Sequence, residues 1–141
     1  QLDPQFVVRE AGEYRKWMHQ DALEADWIKS IDLNPSVPRN LIYVNPPYGR
    51  KENKAWARKI AEQASLLPRG LSIVALVPAN TETKWFGEYW KDADVICFVR
   101  GRLKFQGAEH VADFASAIIY FGGARSEFRR CFAALGICIE P

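Results

Sequence analysis

Leu41-Ile42-Tyr43-Val44-Asn45-Pro46-Pro47-Tyr48-Gly49-Arg50 is the stretch on which the reading of the whole chain turns. Four apolar residues in a row are the mark of a strand buried on both faces, as in a parallel sheet. Pro46 and Pro47 lack an N–H and cannot continue a ladder, so the strand stops at Val44 and a loop begins. Open α/β sheets place their ligands at the carboxyl ends of strands, which makes this loop the expected seat of chemistry.

Working outward, Lys54 to Leu67 has Trp56, Ile60, Ala64 and Leu67 at helical spacing, and Pro68-Arg69-Gly70 stops the helix. Leu71 to Pro78 is a second buried strand, Thr83 to Trp90 a short aromatic helix and Val95 to Val99 a third strand. Arg102–Phe105 and Phe114–Phe121 read as two further strands joined by the polar segment Gln106–Asp113. Ser126 caps a last helix through Leu135, Gly136 ends it, and Ile137-Cys138-Ile139 is a final strand. Upstream, Gly12 to Ser30 reads as a helix with an irregular apolar face, and Asp32 to Arg39 as a loop. The pattern predicts an α/β domain over residues 1–141, its sheet mainly parallel with an antiparallel end. The start at Gln1 without Met reads as a processed or trimmed N-terminus.

Composition narrows the function classes. The 141 residues are 48% hydrophobic and 26% charged, as in a soluble globular protein, and no apolar run is long enough to span a bilayer. Cys97, Cys131 and Cys138 sit in apolar segments without a Cys-x-x-Cys or Cys/His cluster; they read as buried free thiols in a reducing cytoplasm, with no metal site. A net charge of +2 does not announce a nucleic-acid binder, but basic residues cluster at Arg50-Lys51-Lys54, at Arg100-Arg102-Lys104 and at Arg125-Arg129-Arg130. Phosphate contact and a plain solvated surface both account for such clusters.

The loop after Val44 has the right groups for a planar amine. Asn45 offers a side-chain carbonyl and Pro46 a backbone carbonyl, two acceptors for the two protons of an NH₂ group. Tyr48 offers a ring on which a flat heterocycle can stack. The exocyclic amine of adenine is a poor nucleophile because its lone pair is delocalised into the ring; hydrogen bonds from both protons favour a pyramidal nitrogen that points its lone pair at an incoming methyl. Positioning and electrostatics then supply the rate. Inside a duplex that amine is out of reach, so the base must be flipped out. The four residues by themselves indicate a planar NH₂ acceptor: adenine in DNA, a base in RNA, or a glutamine side chain in a protein. A proline turn with Tyr48 packed on the core is the purely structural reading.

Four segments in order resemble the phage-type DNA N-6-adenine methyltransferase family, the Dam-like family of phages and prophages: Leu41–Arg50, Val77–Phe86, Arg100–Phe105 and Phe114–Phe121. The resemblance implies a Rossmann-like fold, S-adenosyl-L-methionine as cofactor, double-stranded DNA as partner and a bacterial cytoplasmic setting. It places Asn45, Pro46, Pro47 and Tyr48 in the catalytic loop. Asp21 and Ala22, with Trp27 shortly after, look like the segment that meets the cofactor's adenosine part, and Asp3-Pro4 like the end of a first strand beside it. Arg102 and Lys104 match a basic segment of the family and, with Arg50 beside the catalytic loop, are candidates for DNA phosphate. Asp32 is a rival acid to Asp21; Trp85, Phe86, Tyr89 and Trp90 are either core or a base-holding wall; His110 lies in a candidate recognition segment, and His19 reads as an ordinary helix residue. A non-catalytic DNA-binding relative is the alternative from a different class.

Overall fold

The computed structural model describes residues 6–10, 13–17, 19–31 and 40–141, with side chains at 22–31 and 40–141. Its strands are β1 (Phe6–Glu10), β2 (Glu13–Trp17), β3 (Asn40–Val44), β4 (Leu71–Pro78), β5 (Val95–Val99), β6 (Ser116–Phe121) and β7 (Gly136–Ile139). Its helices are α1 (His19–Glu24), α2 (Arg50–Ser65), α3 (Phe86–Asp92) and α4 (Arg125–Phe132). The strands form one sheet in the order β2-β1-β3-β4-β6-β5-β7.

The expectation of a mainly parallel sheet is overturned. Only β3 and β4 pair in parallel; the other pairs among the described residues are antiparallel. The reason lies in β6, which is antiparallel to both β4 and β5 and sits between them. Strands β3, β4 and β5 therefore run in one direction, but β6 separates β5 from β4. Apolar composition reports burial on two faces, not the direction of a neighbour. The same insertion removes the predicted strand Arg102–Phe105, for β6 has both edges occupied and offers no free ladder to a hairpin partner.

Several helices differ from the sequence reading: α2 starts at Arg50 and not Lys54, and α3 spans Phe86–Asp92 and not Thr83–Trp90. Within the predicted helix Gly12–Ser30 the chain forms β2, paired along its length with β1, and only then α1. The irregular apolar spacing there never had a 3.6-residue period, and the β-branched run of β1 supplies a ladder partner. Helix α4 begins at Arg125, with Ala124 and not Ser126 at its N-cap, and ends before Gly136. Arg125 is drawn to the start of the helix by Asp94, whose carboxylate its guanidinium meets at 2.7 Å and 3.0 Å. Gly136 instead opens β7, where a Cβ would collide with the Phe98 carbonyl of the neighbouring strand.

Alternation along the strands divides the core in two. Ile42, Val44, Ile73, Ala75, Val77, Ile96, Ala117 and Ile119 face Trp56, Ala57 and Ile60 of α2 and Phe86 and Tyr89 of α3. Val74, Leu76, Val95, Cys97, Ile118 and Tyr120 face Phe128 of α4, with Leu103 and Phe105 packed against them. All eight residues of β4 are buried, the polar Ser72 among them, as in a strand covered on both faces.

Burial separates the cysteines that the sequence groups together: Cys97 is buried, Cys138 half-buried and Cys131 exposed. Burial, and then the thiol of its cross-strand neighbour Cys138, pushes the Cys97 thiol up to about 12. A folded-state pKa above the unfolded value means that the native state holds this proton more tightly. The Cys97 contribution is thus intact below the ordinary thiol range and is lost as pH rises through it toward 12. Brief iodoacetamide treatment of the native protein at pH 8 is expected to modify Cys131 and spare Cys97 until denaturant is added; peptide mass spectrometry reads the difference.

Candidate active site

The loop after β3 lies where the sequence places it, at the carboxyl end of a central strand. Val44 pairs with Ala75, and Asn45 and Pro46 follow directly; both are buried, Asn45 to 2% exposure. Pro47, Tyr48 and Gly49 are half-buried, and α2 begins at Arg50 with Glu52 in its first turn. The two prolines end the ladder as expected, and Asn53 N–H donates to the Gly49 carbonyl to start the helix.

The Tyr48 hydroxyl donates to Asn45 Oδ1 at 2.7 Å and lies 3.4 Å from the Leu76 carbonyl of β4. The Tyr48 hydroxyl thereby orients the Asn45 carboxamide, whose oxygen carries two lone pairs. Burial pushes the Tyr48 phenol well above the usual tyrosine range, so it is a hydrogen-bond donor at any ordinary pH. Burial, and then the Tyr48 hydroxyl, pushes Tyr89 up as well, so Tyr89 of α3 lies within electrostatic reach of the loop. The Tyr48 ring is held edge-on by Phe114, with centroids 5.2 Å apart, and by Phe105, 5.9 Å away. Neither phenylalanine is singled out as a site residue by sequence pattern; the signal for both is that they end and begin the two segments flanking Gln106–Asp113. At the same end of the sheet Ser116 opens β6 opposite Pro78, its hydroxyl buried without a hydrogen-bond partner among the described residues.

Of the other sequence candidates, Ala22 is fully buried and its carbonyl accepts the Trp27 indole N–H at 2.6 Å. Trp27 is fully buried, packs 6.2 Å from Trp56, and donates its backbone N–H to Gln63 Oε1 at 2.9 Å, so residues 22–28 are fastened to α2. Position 21 lies on α1, and its side chain is outside the described residues, as are Asp3, Pro4 and Asp32. Arg50, Arg102 and Lys104 are all exposed, as are Arg100 and His110. Arg102 and Lys104 alternate with the half-buried Leu103 and Phe105, so they share an outward side even though no strand forms. Phe86 and Tyr89 belong to the core, Trp85 is half-buried and Trp90 is exposed, so these four do not form one wall. Clefts of about 280 Å³ beside Asp92 and Asp94 and of about 210 Å³ beside Leu41 and Phe128 are not lined by Asn45, Pro46 or Tyr48. Among the described residues no group of His, Cys, Asp and Glu is placed to hold a metal ion, and no helix is long and apolar enough to cross a membrane.

Comparison with known proteins gives one match of consequence: the family model described as DNA N-6-adenine-methyltransferase (Dam) covers residues 12–122. No curated protein and no solved structure matches.

Proposed function

Since the chain belongs to the DNA N-6-adenine-methyltransferase (Dam) family, whose activity is methylation of adenine in DNA, we propose that Asn45, Pro46, Pro47 and Tyr48 form its active-site loop and act on an adenine flipped out of double-stranded DNA. One observation carries this reading: the buried Asn45 carboxamide, oriented by the Tyr48 hydroxyl, at the carboxyl end of β3. The direction shared by β3, β4 and β5, with β6 reversed between β4 and β5, supports a Rossmann-like methyltransferase sheet.

S-adenosyl-L-methionine, when bound, supplies the electrophilic methyl group. The donor chemistry of the chain fits it: α1 carries an acid at Asp21, suited to ribose hydroxyls, and buried Ala22 lies beside it on a segment fastened to α2. Asp3 and Pro4 complete the proposed contacts. Asn45 Oδ1 and the Pro46 carbonyl each accept one proton of the adenine amine, which tilts its lone pair toward the methyl. The nitrogen would form its bond to the methyl carbon as that carbon's bond to sulfur breaks, the electron pair staying on sulfur to leave the neutral thioether S-adenosylhomocysteine, and would then shed one proton to water, so no side chain has to act as a strong base. Tyr48 provides the stacking face, Phe105 and Phe114 fix its ring, and Arg50, Arg102 and Lys104 meet phosphate. The setting we infer is the bacterial cytoplasm, with a phage or prophage gene.

The polymer that receives the methyl tests the proposal. With tritiated cofactor and DNA, RNA and protein offered together, label is expected in DNA; a well-folded chain that labels only RNA or protein overturns it. Tyr48 has two separable duties, and two substitutions distinguish them. Tyr48→Phe keeps the ring and loses the bond that orients Asn45, and methylation is expected to fall by roughly fivefold, the equivalent of one hydrogen bond. Tyr48→Ala loses the stacking face as well and is expected to fall by about 100-fold, with cofactor affinity unchanged. Equal activities of the two variants would contradict the division.

A further inference from the structure

The segment between the two phenylalanines that hold Tyr48 is a closed, projecting loop. Its base is tied by the Ala112 N–H to the Leu103 carbonyl at 2.8 Å, and an inner turn by the Ala108 N–H to the Phe105 carbonyl at 3.1 Å. Gly107, with φ of +81°, makes that turn possible. Both feet of the loop are anchored at the proposed active site through the ring contacts of Phe105 and Phe114 with Tyr48. All six residues from Gln106 to Val111 are exposed.

The chemistry of residues 106–111 differs from that of the limb leading to them. Arg100, Arg102 and Lys104 precede it, while residues 106–111 contain no Lys or Arg and include Glu109, which repels phosphate. The one large apolar residue among these six, Val111, directly precedes the tied Ala112 and is 55% exposed. The tie at the next residue fixes its backbone, and branching at Cβ leaves it few rotamers, so it is a stiff, exposed apolar side chain on the foot of the loop that leads to Phe114, a ring contact of Tyr48.

We propose that Val111 is the wedge that enters the base stack when the target adenine leaves it; this rests on the adenine reading above. A flipped base leaves a gap whose neighbours have lost their stacking partner, and an apolar side chain inserted there keeps water out and stops the base from returning. In this proposal the basic limb holds the phosphates while Val111, on the return limb that lacks Lys and Arg, reaches the bases, a division of labour that matches the charge pattern of the loop.

The test compares two substrates. One is a fully paired duplex that the wild-type chain methylates; the other is the same duplex with an abasic site opposite the target adenine, which is then already unpaired. Val111→Gly is expected to lower kcat/KM on the paired duplex by about tenfold, an effect of the order of part of the unstacking cost, and to leave the abasic duplex within twofold of wild type. Val111→Ile is expected to restore the paired activity. Equal losses on both duplexes, or no loss on the paired one, overturn the wedge. A wild-type chain that methylates adenine in neither duplex overturns the adenine reading, and the wedge with it. Because Val111 lies on the surface, the variants are expected to melt like wild type, which separates this outcome from misfolding.

Discussion

Asn45→Ala is expected to reduce DNA methylation by at least about 100-fold, and toward 1,000-fold if the carboxamide acts as a full preorganised acceptor. The substitution removes the oxygen proposed to accept the amine proton, which also receives the Tyr48 hydroxyl at 2.7 Å. The second loss matters, because Tyr48 then has only the longer contact to the Leu76 carbonyl and its ring is less firmly oriented. Cofactor affinity is expected to stay within a few-fold of wild type, since the proposed cofactor contacts lie on α1 and upstream of it. Single-turnover methylation with saturating cofactor reads the rate, and calorimetric cofactor titration reads the affinity. Retention of more than a tenth of the wild-type rate would show that Asn45 is a structural residue of the turn.

Trp27→Ala carries the largest expected effect on stability. The indole is fully buried, packs against Trp56 and under Lys59, and donates to the Ala22 carbonyl. Removing a buried tryptophan side chain leaves a cavity and costs about 3–5 kcal/mol. For a chain of this size that corresponds to a fall in Tm of roughly 10–20 °C by calorimetry. The effect is expected to reach function at temperatures where the variant is still folded. Without the indole N–H the Ala22 carbonyl loses that donor, and the segment bearing Asp21 keeps the Gln63 contacts to the backbone N–H groups of residues 27 and 28 and the core packing of Ala22 and Ile31. Cofactor affinity should weaken while methylation at saturating cofactor changes little. A variant that melts with wild type would show that the 22–31 segment is not part of the cooperative core.

What could be read from sequence alone follows the kind of interaction each element depends on. Strands β4 and β5 carry continuous apolar runs, and their boundaries coincide with those expected, Leu71–Pro78 and Val95–Val99. The turn at Asn45–Tyr48 was legible because proline forbids the alternative locally. Pairing direction was not legible, because the reversal of β6 between β4 and β5 is set by tertiary contacts across residues 75–119 and leaves no local mark. The basic stretch 102–105 alternates like a strand and is partly buried like one, yet it has no edge to pair with; periodicity reports which side faces the core and is silent about ladder partners. Gln63 shows the same limit for helices. In sequence it is one more polar residue of α2, and only the fold reveals it buried, accepting the N–H groups of Trp27 and Ile28. Phe105 and Phe114 read as strand residues, which neither is, and nothing local marks them as the holders of Tyr48, since both lie far along the chain from that ring.

The most direct measurement is the identity of the methylated nucleoside. DNA incubated with the chain and S-adenosyl-L-methionine is digested and analysed by mass spectrometry, alongside DNA treated with Asn45→Ala. N-6-methyldeoxyadenosine is expected from the wild-type chain and almost none from the variant. A methyl group found only on a ring carbon of cytosine, or N-6-methyldeoxyadenosine formed equally by both proteins, would contradict the assignment of the Asn45–Tyr48 turn as the grip on adenine's amine.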